Sequence, residues 1–466
     1  MERNSLSSLP SELLCLVLEN VDSARDFSSL VRSCSYIYSM FVQQKEILLS
    51  KHLRRVWDSE DLERDARVAL RASEYPFTIQ DSSSDYQVDM LYFLEEAQYA
   101  NFHNQRIPLS MSSGLWKLQL VNELFLEDFS RRSISHIRQD FAGTANEYPE
   151  PPLSGPYFLS STEFLRLQRA FYRYNTCQSI YRAHGYSNFR EGPTAFALPL
   201  FLESFQPFEV EEITCVHEYI LGRLSDTVED IEDEFVSRVL DSEVILANNK
   251  FSREQGDPEP PLKKLIRALE PKDDLDSHHR GSSKSVFDKD GQYGFFSVDS
   301  KHRQGEYIKT LACHGTAFVN MFMSSSFTNK LSLINSICTS SLRPYFHKLL
   351  EDISQPVLAS LWNIEIFDGD SSDSPNRGWH LVMSNRPLHR HGLPGSQNLR
   401  TWGYVFWDQQ RLANTFLLPE PYCSRRRNSD SFWATLPCER TPSAEERLLR
   451  TGLTLSGGKL PASVRL

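Results

Sequence analysis

Between residues 9 and 57 the apolar side chains recur at helical spacing, yet the helices they imply are too short to bury them. Leu13, Leu14, Val17, Leu18 and Val21 make an i, i+4 stripe. Pro10 suits a first helical turn, because its missing N–H has no partner there. Asp22-Ser23 interrupts the pattern, and Ser23-Ala24-Arg25-Asp26 has the form of a capping box. Phe27, Leu30, Val31 and Cys34 follow at i, i+3, i+4 and i+7, one apolar face of a second helix. Ile37, Phe41, Leu48, His52 and Val56 mark a third, longer helix. Two short helices of about twenty-five residues in total cannot cover both of their apolar faces. The surplus must pack on the third helix, on the rest of the chain or on a partner.

The remainder also reads as helical. Residues 73–86 look like a loop, and residues 86–104 and 115–141 show helical periodicity. Residues 147–156, rich in proline, are a linker or surface turn. Ser160-Ser161-Thr162-Glu163 is a second capping box, opening a helix that carries Phe164, Leu167, Phe171, Tyr174 and Tyr181. Pro207 precedes another helix with Glu209, Glu211 and Glu212 near its start, where the helix dipole favours carboxylates. Its apolar face is Ile213, Val216, Ile220 and Leu221. The acidic run 226–234 is expected to be a solvated face, and residues 252–285 a mobile linker. A second helical block covers residues 307–353, and a polar loop covers 368–377. The expected architecture is therefore mainly α, with a few short strands after residue 356. The expected domains are a helical module (1–57), a helical domain (58–251), the linker (252–285), a second helical block (286–420) and a polar, disordered tail (421–466).

Bulk properties exclude several classes. The 466 residues suffice for two to three domains of about 150 residues. A net charge of −11 disfavours general nucleic-acid binding. The longest N-terminal apolar run, 13–18, is too short for a signal peptide or a membrane span. Of eight cysteines, the closest pair, Cys423 and Cys438, lies fifteen residues apart, so neither a C-x-x-C nor a zinc-ligand spacing exists. With no N-x-[ST] sequon, this suits the cytoplasm or nucleus.

Chemistry-bearing candidates are few. The Glu209, Glu211, Glu212 cluster is explained by its helix start, without an adjacent nucleophile or metal set. His278, His279, His380, His389 and His391 lack nearby carboxylate or thiol ligands, so no metal site is expected. The run from Gly452 to Lys459 misses the phosphate-loop pattern: its lysine is one place late and Leu460 replaces the hydroxyl. Arg425-Arg426-Arg427 reads as a solvated stretch, with nuclear import as the alternative. Trp402, Tyr404, Phe406 and Trp407 are read first as core and second as a substrate-binding surface, with an ion pair at Asp408 and Arg411 beside them. No catalytic motif is found and no cofactor is expected.

Leu9-Pro10-x-Glu12-Leu13-Leu14, followed by Val17, Leu18, Val21, Phe27, Leu30 and Cys34, resembles an F-box. Ser33 stands where that family usually has Val, and Ile37 where it usually has Trp. Three further segments, 161–173, 207–213 and 402–412, resemble a group of fungal F-box-like proteins. The resemblance implies a non-catalytic, substrate-recruiting adaptor. Its N-terminal helices would dock on the Skp-type adaptor of a cullin-RING ubiquitin ligase, and the rest would bind a substrate protein. It assigns docking to Leu9, Pro10, Leu13, Val17, Leu18, Val21, Phe27 and Leu30. The alternative is a structural or interaction protein that keeps these helices in its own core.

Overall fold

The computed structural model describes residues 9–57, 59–74, 92–93, 95, 107–141, 159–184, 197–241, 286, 294–296, 300–338, 346, 349–350, 371–384, 396–415 and 442–450. The protein is mainly helical, and no strand occurs among the described residues. The chain divides into two compact units. The first comprises 1–219, 315–317 and 346–435; the second comprises 220–314, 318–345 and 436–466. The expected boundary after residue 57 is therefore not a unit boundary.

The first unit opens with α1 (Ser11–Glu19), α2 (Ala24–Arg32) and α3 (Ser35–Trp57), the three helices that the apolar spacing predicts. Pro10 lies just outside α1, where its carbonyl accepts the Leu14 amide at 3.1 Å. Ser23 caps α2 by accepting the Asp26 amide at 3.0 Å. Leu14, Cys15, Leu18, Phe27, Val31, Ile37, Met40, Leu48 and Leu49 form the buried core of this module. Full burial of one such side chain contributes about 1.5–3 kcal/mol.

Next come α4 (Glu60–Glu74) and α5 (Leu109–Phe141), the latter starting earlier than its expected residue 115. α5 joins the module to the unit. Trp116 packs on Phe27 (ring centroids 4.8 Å) and on His52 (5.3 Å). Glu123 reaches the start of α2 and accepts the amides of Ala24 at 2.9 Å and Arg25 at 3.2 Å. With Ser23, it supplies acceptors for the amides of 24, 25 and 26, which no helical carbonyl can reach.

α6 (Ser161–His184) is buried along most of its length. The expected capping box closes in both directions: the Glu163 amide donates to Ser160 Oγ at 3.2 Å, and the Ser160 amide to Glu163 Oε2 at 3.0 Å. A buried relay ties α6 to the module. Trp57 Nε1 donates to Tyr172 Oη at 3.0 Å, Tyr172 donates to Gln119 Oε1, and Gln119 Nε2 donates to Glu123 Oε1 at 2.9 Å. α7 (Ala197–Glu203) and α8 (Pro207–Asp241) follow; residues 207–219 of α8 belong to this unit.

Of the region after residue 356, where short strands are expected, the described residues form turns and short helices. These helices are α12 (Arg377–Ser384), α13 (Ser396–Thr401) and α14 (Gln409–Thr415). Gly403 adopts a positive φ of 65°, which turns the chain sharply after α13. Asn376 Nδ2 then donates to the carbonyls of Tyr404 and Trp407, both at 2.8 Å, groups that a strand would give to a neighbour. Trp402, Tyr404, Phe406 and Trp407 are all buried, as core packing predicts, and the substrate-surface alternative is set aside. Phe406 meets Phe129 of α5 edge-on at 5.4 Å.

The second unit holds residues 220–241 of α8, a 3₁₀ turn (Gly294–Phe296), α9 (Ser300–Ala312), α11 (Phe327–Cys338) and most of α10 (Gly315–Ser324). Phe235 stacks on Phe296 at 3.9 Å. The acidic run 226–234 is only partly a solvated face. Asp226, Asp230, Asp233 and Glu234 are exposed, but Glu232 is buried and accepts from Gln304 at 2.8 Å and Arg447 at 3.3 Å. Arg447 lies in α15 (Ala444–Arg450), inside the expected disordered tail. Ser443 and Glu446 form the capping box that starts it, and Leu448 is buried. The expected loops and linkers at 75–86, 147–156 and 252–285 lie outside the described residues, as do Arg425–Arg427, the run from Gly452 to Lys459 and all of the histidine candidates except His380.

Two outcomes follow. His52 is buried with neither ring nitrogen hydrogen-bonded. Burial, helped by the Arg55 charge and opposed by Asp22, lowers its pKa from 6.5 to about 4. The unfolded chain therefore binds a proton that the native state refuses. Stability is intact above pH 6.5 and falls as the pH drops towards 4, by up to about 3 kcal/mol from this group. Urea midpoints measured from neutral to mildly acid pH should slope less in His52→Leu than in wild type; equal slopes would exclude this assignment. Gly403→Ala should lower the melting temperature by the equivalent of about 2 kcal/mol. Left-handed backbone costs a non-glycine residue roughly 1–2 kcal/mol, and the new methyl would lie 2.8 Å from Phe129 Cζ.

Candidate functional site

The residues assigned to docking separate into two sets once α1 and α2 fold. Leu13 is 46 % exposed and Val17 36 %, and Pro10 is exposed beside them. Leu18 and Phe27 are 1 % exposed and belong to the module core. Leu9, Val21 and Leu30 are half-buried and pack against that core. In the folded module Leu18 and Phe27 therefore serve its own core, and of the residues expected to dock, Pro10, Leu13 and Val17 are the exposed ones. The division follows from helix geometry. Leu14 and Leu18 are one turn apart on the inner face, and Leu13 and Val17 are one turn apart on the outer face.

Leu16, at 51 % exposure, extends the outer face of α1 and was not singled out in the sequence. α3 adds exposed Tyr38 and Val42, also i, i+4, together with Tyr36 and Ile47. A periodicity argument tells that a short helix is apolar on two sides, but not which side meets its own core. Electrostatics do not explain the outer face of α1. Glu12 is the only charged side chain between Pro10 and Leu18.

A second constellation lies deep in the first unit and was not foreseen. Glu163, Arg166, Arg169 and Arg173 share one face of α6, and each meets an opposite charge. Arg173 Nε donates to Asp65 of α4 at 2.8 Å and Nη1 to Glu209 of α8 at 2.7 Å. Arg169 Nη2 donates to Glu212 at 2.9 Å. Arg166 Nη1 donates to Asp408 Oδ1 and to the Phe406 carbonyl, both at 3.0 Å, and its Nη2 to the Ser371 carbonyl at 2.6 Å. Glu163 accepts Arg411 through two bonds of 2.7 Å. The expected Asp408–Arg411 pair is therefore replaced by two pairs that cross to α6. On α8, Glu209 and Glu212 lie one turn apart and face α6. Glu211 turns the other way, to Arg400 at 2.8 and 3.0 Å and to the Tyr404 hydroxyl at 3.2 Å.

Each acid is shaped by its surroundings. Burial alone would raise Glu209, but the Arg173 and Arg169 guanidiniums outweigh it and hold the carboxyl below its usual range. For Glu212 burial wins over Arg169 and pushes the carboxyl upward. Burial also raises the thiols of Cys177, Cys215 and Cys313, which stay protonated at neutral pH. The Glu209, Glu211, Glu212 cluster thus works as a set of clamps: its oxygens are taken up by arginines that bring sequence-distant segments together. Only the helix-start role of Glu209, which accepts the Gln206 amide at 2.7 Å, matches the expectation from the dipole.

Among the described residues no three histidine, cysteine, aspartate or glutamate side chains are grouped as metal ligands, and no helix is long and apolar enough to cross a membrane. No family model, no curated protein and no solved structure matches the chain.

Removing one partner of a buried pair leaves the other uncompensated, at a cost of about 3–5 kcal/mol. Arg400→Met, which strands Glu211, should destabilise by that amount in chemical denaturation. Arg400→Met combined with Glu211→Leu should recover most of the loss. A single variant as stable as wild type would show that the pair contributes nothing.

Proposed function

We propose that this chain is a non-catalytic protein-interaction adaptor. In this reading α1–α3 dock on a Skp-type adaptor of a cullin-RING ubiquitin ligase and the remaining helices recruit a substrate protein. The work would be done in the cytoplasm or nucleus, with no cofactor and no contact to nucleic acid or membrane. The observation that carries the reading is the outer face of α1. Pro10, Leu13, Leu16 and Val17 remain open to solvent while the inner face of the same helix is fully packed. The physical rationale is that an amphipathic helix satisfied on one side and apolar on the other gains by burying the second side in a partner's groove. The F-box resemblance of the same residues names the partner class.

A second reading is favoured by Leu18 and Phe27, two F-box positions that serve the module's own core and, through Trp116, its attachment to α5. Here the module is a retained structural element of an interaction protein, and the outer face of α1 binds no Skp-type adaptor.

Because Leu13 and Val17 are exposed, charge there should leave the fold intact. Leu13→Asp and Val17→Asp should keep the wild-type circular dichroism spectrum and melting temperature. In pull-downs with a purified Skp-type adaptor, wild type should be retained and both variants lost. Leu18→Asp should unfold the module, since it buries an unpaired charge. Retention of both charged variants, or no binding by wild type, would remove the adaptor reading.

A further inference from the structure

The second unit holds one short helix whose seat is better built than the helix itself. α15 has seven residues. A helix of fewer than about twelve residues is marginal in water, so α15 stays helical only while it is docked. Arg447 supplies the polar hold. Its Nη2 donates to Glu232 Oε2 of α8 at 3.3 Å, and the same guanidinium meets Asp233. Ala444 and Leu448, one turn apart, supply the apolar hold, and both are fully buried. Arg450 is exposed, and Glu446 and Arg447 are half-buried. The fit is incomplete, because Arg447 Nε is buried without a hydrogen bond.

The seat does not depend on its occupant. Glu232 has a second donor, Gln304 Nε2 of α9, at 2.8 Å, and the same nitrogen donates to the Phe295 carbonyl at 2.6 Å. Phe296, the next residue, stacks on Phe235 of α8. Departure of α15 therefore strands no charge: Glu232 keeps Gln304 and gains water, and the Asp233 side chain is already 63 % exposed. The rim is acidic, with Asp230, Asp233 and Glu234 exposed on one face of α8. A fixed carboxylate in the floor selects a guanidinium at that position, and an acidic rim rejects acidic segments. We propose that this slot on α8 recognises short basic–apolar helices with the pattern of residues 443–448, a serine cap followed by an Arg-Leu pair. α15 is its self-bound occupant, and a partner's segment of the same chemistry displaces it. A segment on the same chain competes at high effective concentration, so the slot is closed to free peptide until α15 leaves. The inference does not rest on the adaptor reading, because the slot lies in the second unit and shares no residue with α1.

The test is fluorescence anisotropy of the full chain with a fluorescein-labelled peptide of residues 441–452. Wild type is compared with a released variant carrying Arg447→Glu and Leu448→Asp, which expels its own α15. The released variant should bind the peptide about tenfold more tightly than wild type, or better, and more weakly as salt rises. Adding Glu232→Gln to the released variant should weaken binding about tenfold; the glutamine carbonyl still accepts from Gln304, so the wall is kept. Arg447→Gln within the peptide should have a similar effect, and a scrambled peptide of the same composition should not bind. The released variant should melt cooperatively and close to the wild-type temperature. A large drop in its melting temperature would show α15 to be part of the unit's core and would overturn the proposal. Absence of binding to the released variant, equal binding by wild type, or equal binding of the scrambled peptide would overturn it as well.

Discussion

A guanidinium inside a helical core must find a carboxylate, and three such demands on one helix organise the first unit. Arg166, Arg169 and Arg173 lie on one face of α6, each almost fully buried. Their partners come from α4, from α8 and from the turn around Asp408, segments separated by up to 242 positions from the arginine they meet. Apolar packing alone tolerates many rearrangements of similar volume. Bidentate and carbonyl-directed bonds do not, since a shift of about 1 Å breaks their geometry. Buried pairs of this kind add little net stability over an apolar core. What they contribute is the choice of neighbour: Arg166 accepts only a segment that presents Asp408, Phe406 O and Ser371 O together.

The N-terminal module is held to α5 and α6 chiefly by hydrogen bonds of a buried carboxylate. Glu123 is buried, and its oxygens accept the first amides of α2 and the Gln119 amide. The positive end of a helix dipole stabilises an anion in such a position. Gln119 continues through Tyr172 to Trp57, so α2, α3, α5 and α6 share one hydrogen-bonded path. A module held in this way cannot swing as a domain on a tether. Its outer apolar face is presented in a constant direction relative to the rest of the unit.

The elements that local patterning controls were legible from the residues. Helices α1, α2, α6 and the start of α8 follow from i, i+4 stripes and from Ser23 and Ser160 as caps, and the buried quartet around Trp407 follows from its aromatic density. The ionic core was not legible, because a charged row at helical spacing looks the same whether it faces water or a second charged row. Glu163, Arg166, Arg169 and Arg173 have the spacing of a solvated face, and only their distant partners distinguish them. The two sides of α1 could not be told apart for a related reason. Leu13, Leu14, Val17 and Leu18 fill two sides of one helix, and the inner side is chosen by Phe27 and Trp116, which lie outside α1. The cap at Ser443 and Glu446 was legible in principle: it has the same pattern as Ser160 and Glu163, but it sits in a polar, arginine-rich stretch that composition alone assigns to a tail.

These two failures share a cause that bears on function. Helical period defines faces, and tertiary partners decide which faces are closed. In α6 every face is closed by the chain itself, apolar against apolar and arginine against carboxylate. α1 has one face closed and one open, and the open one is apolar. α2 differs again: its inner face is closed by Phe27 and Val31, while the face carrying Ser28 and Arg32 is open and polar. An open polar face is at ease in water and needs no partner to be stable. An open apolar face costs free energy for as long as water covers it. The two surfaces therefore call for different kinds of contact. Greasy side chains filling a groove suit α1, and water alone suits the open face of α2, although both are nine-residue helices.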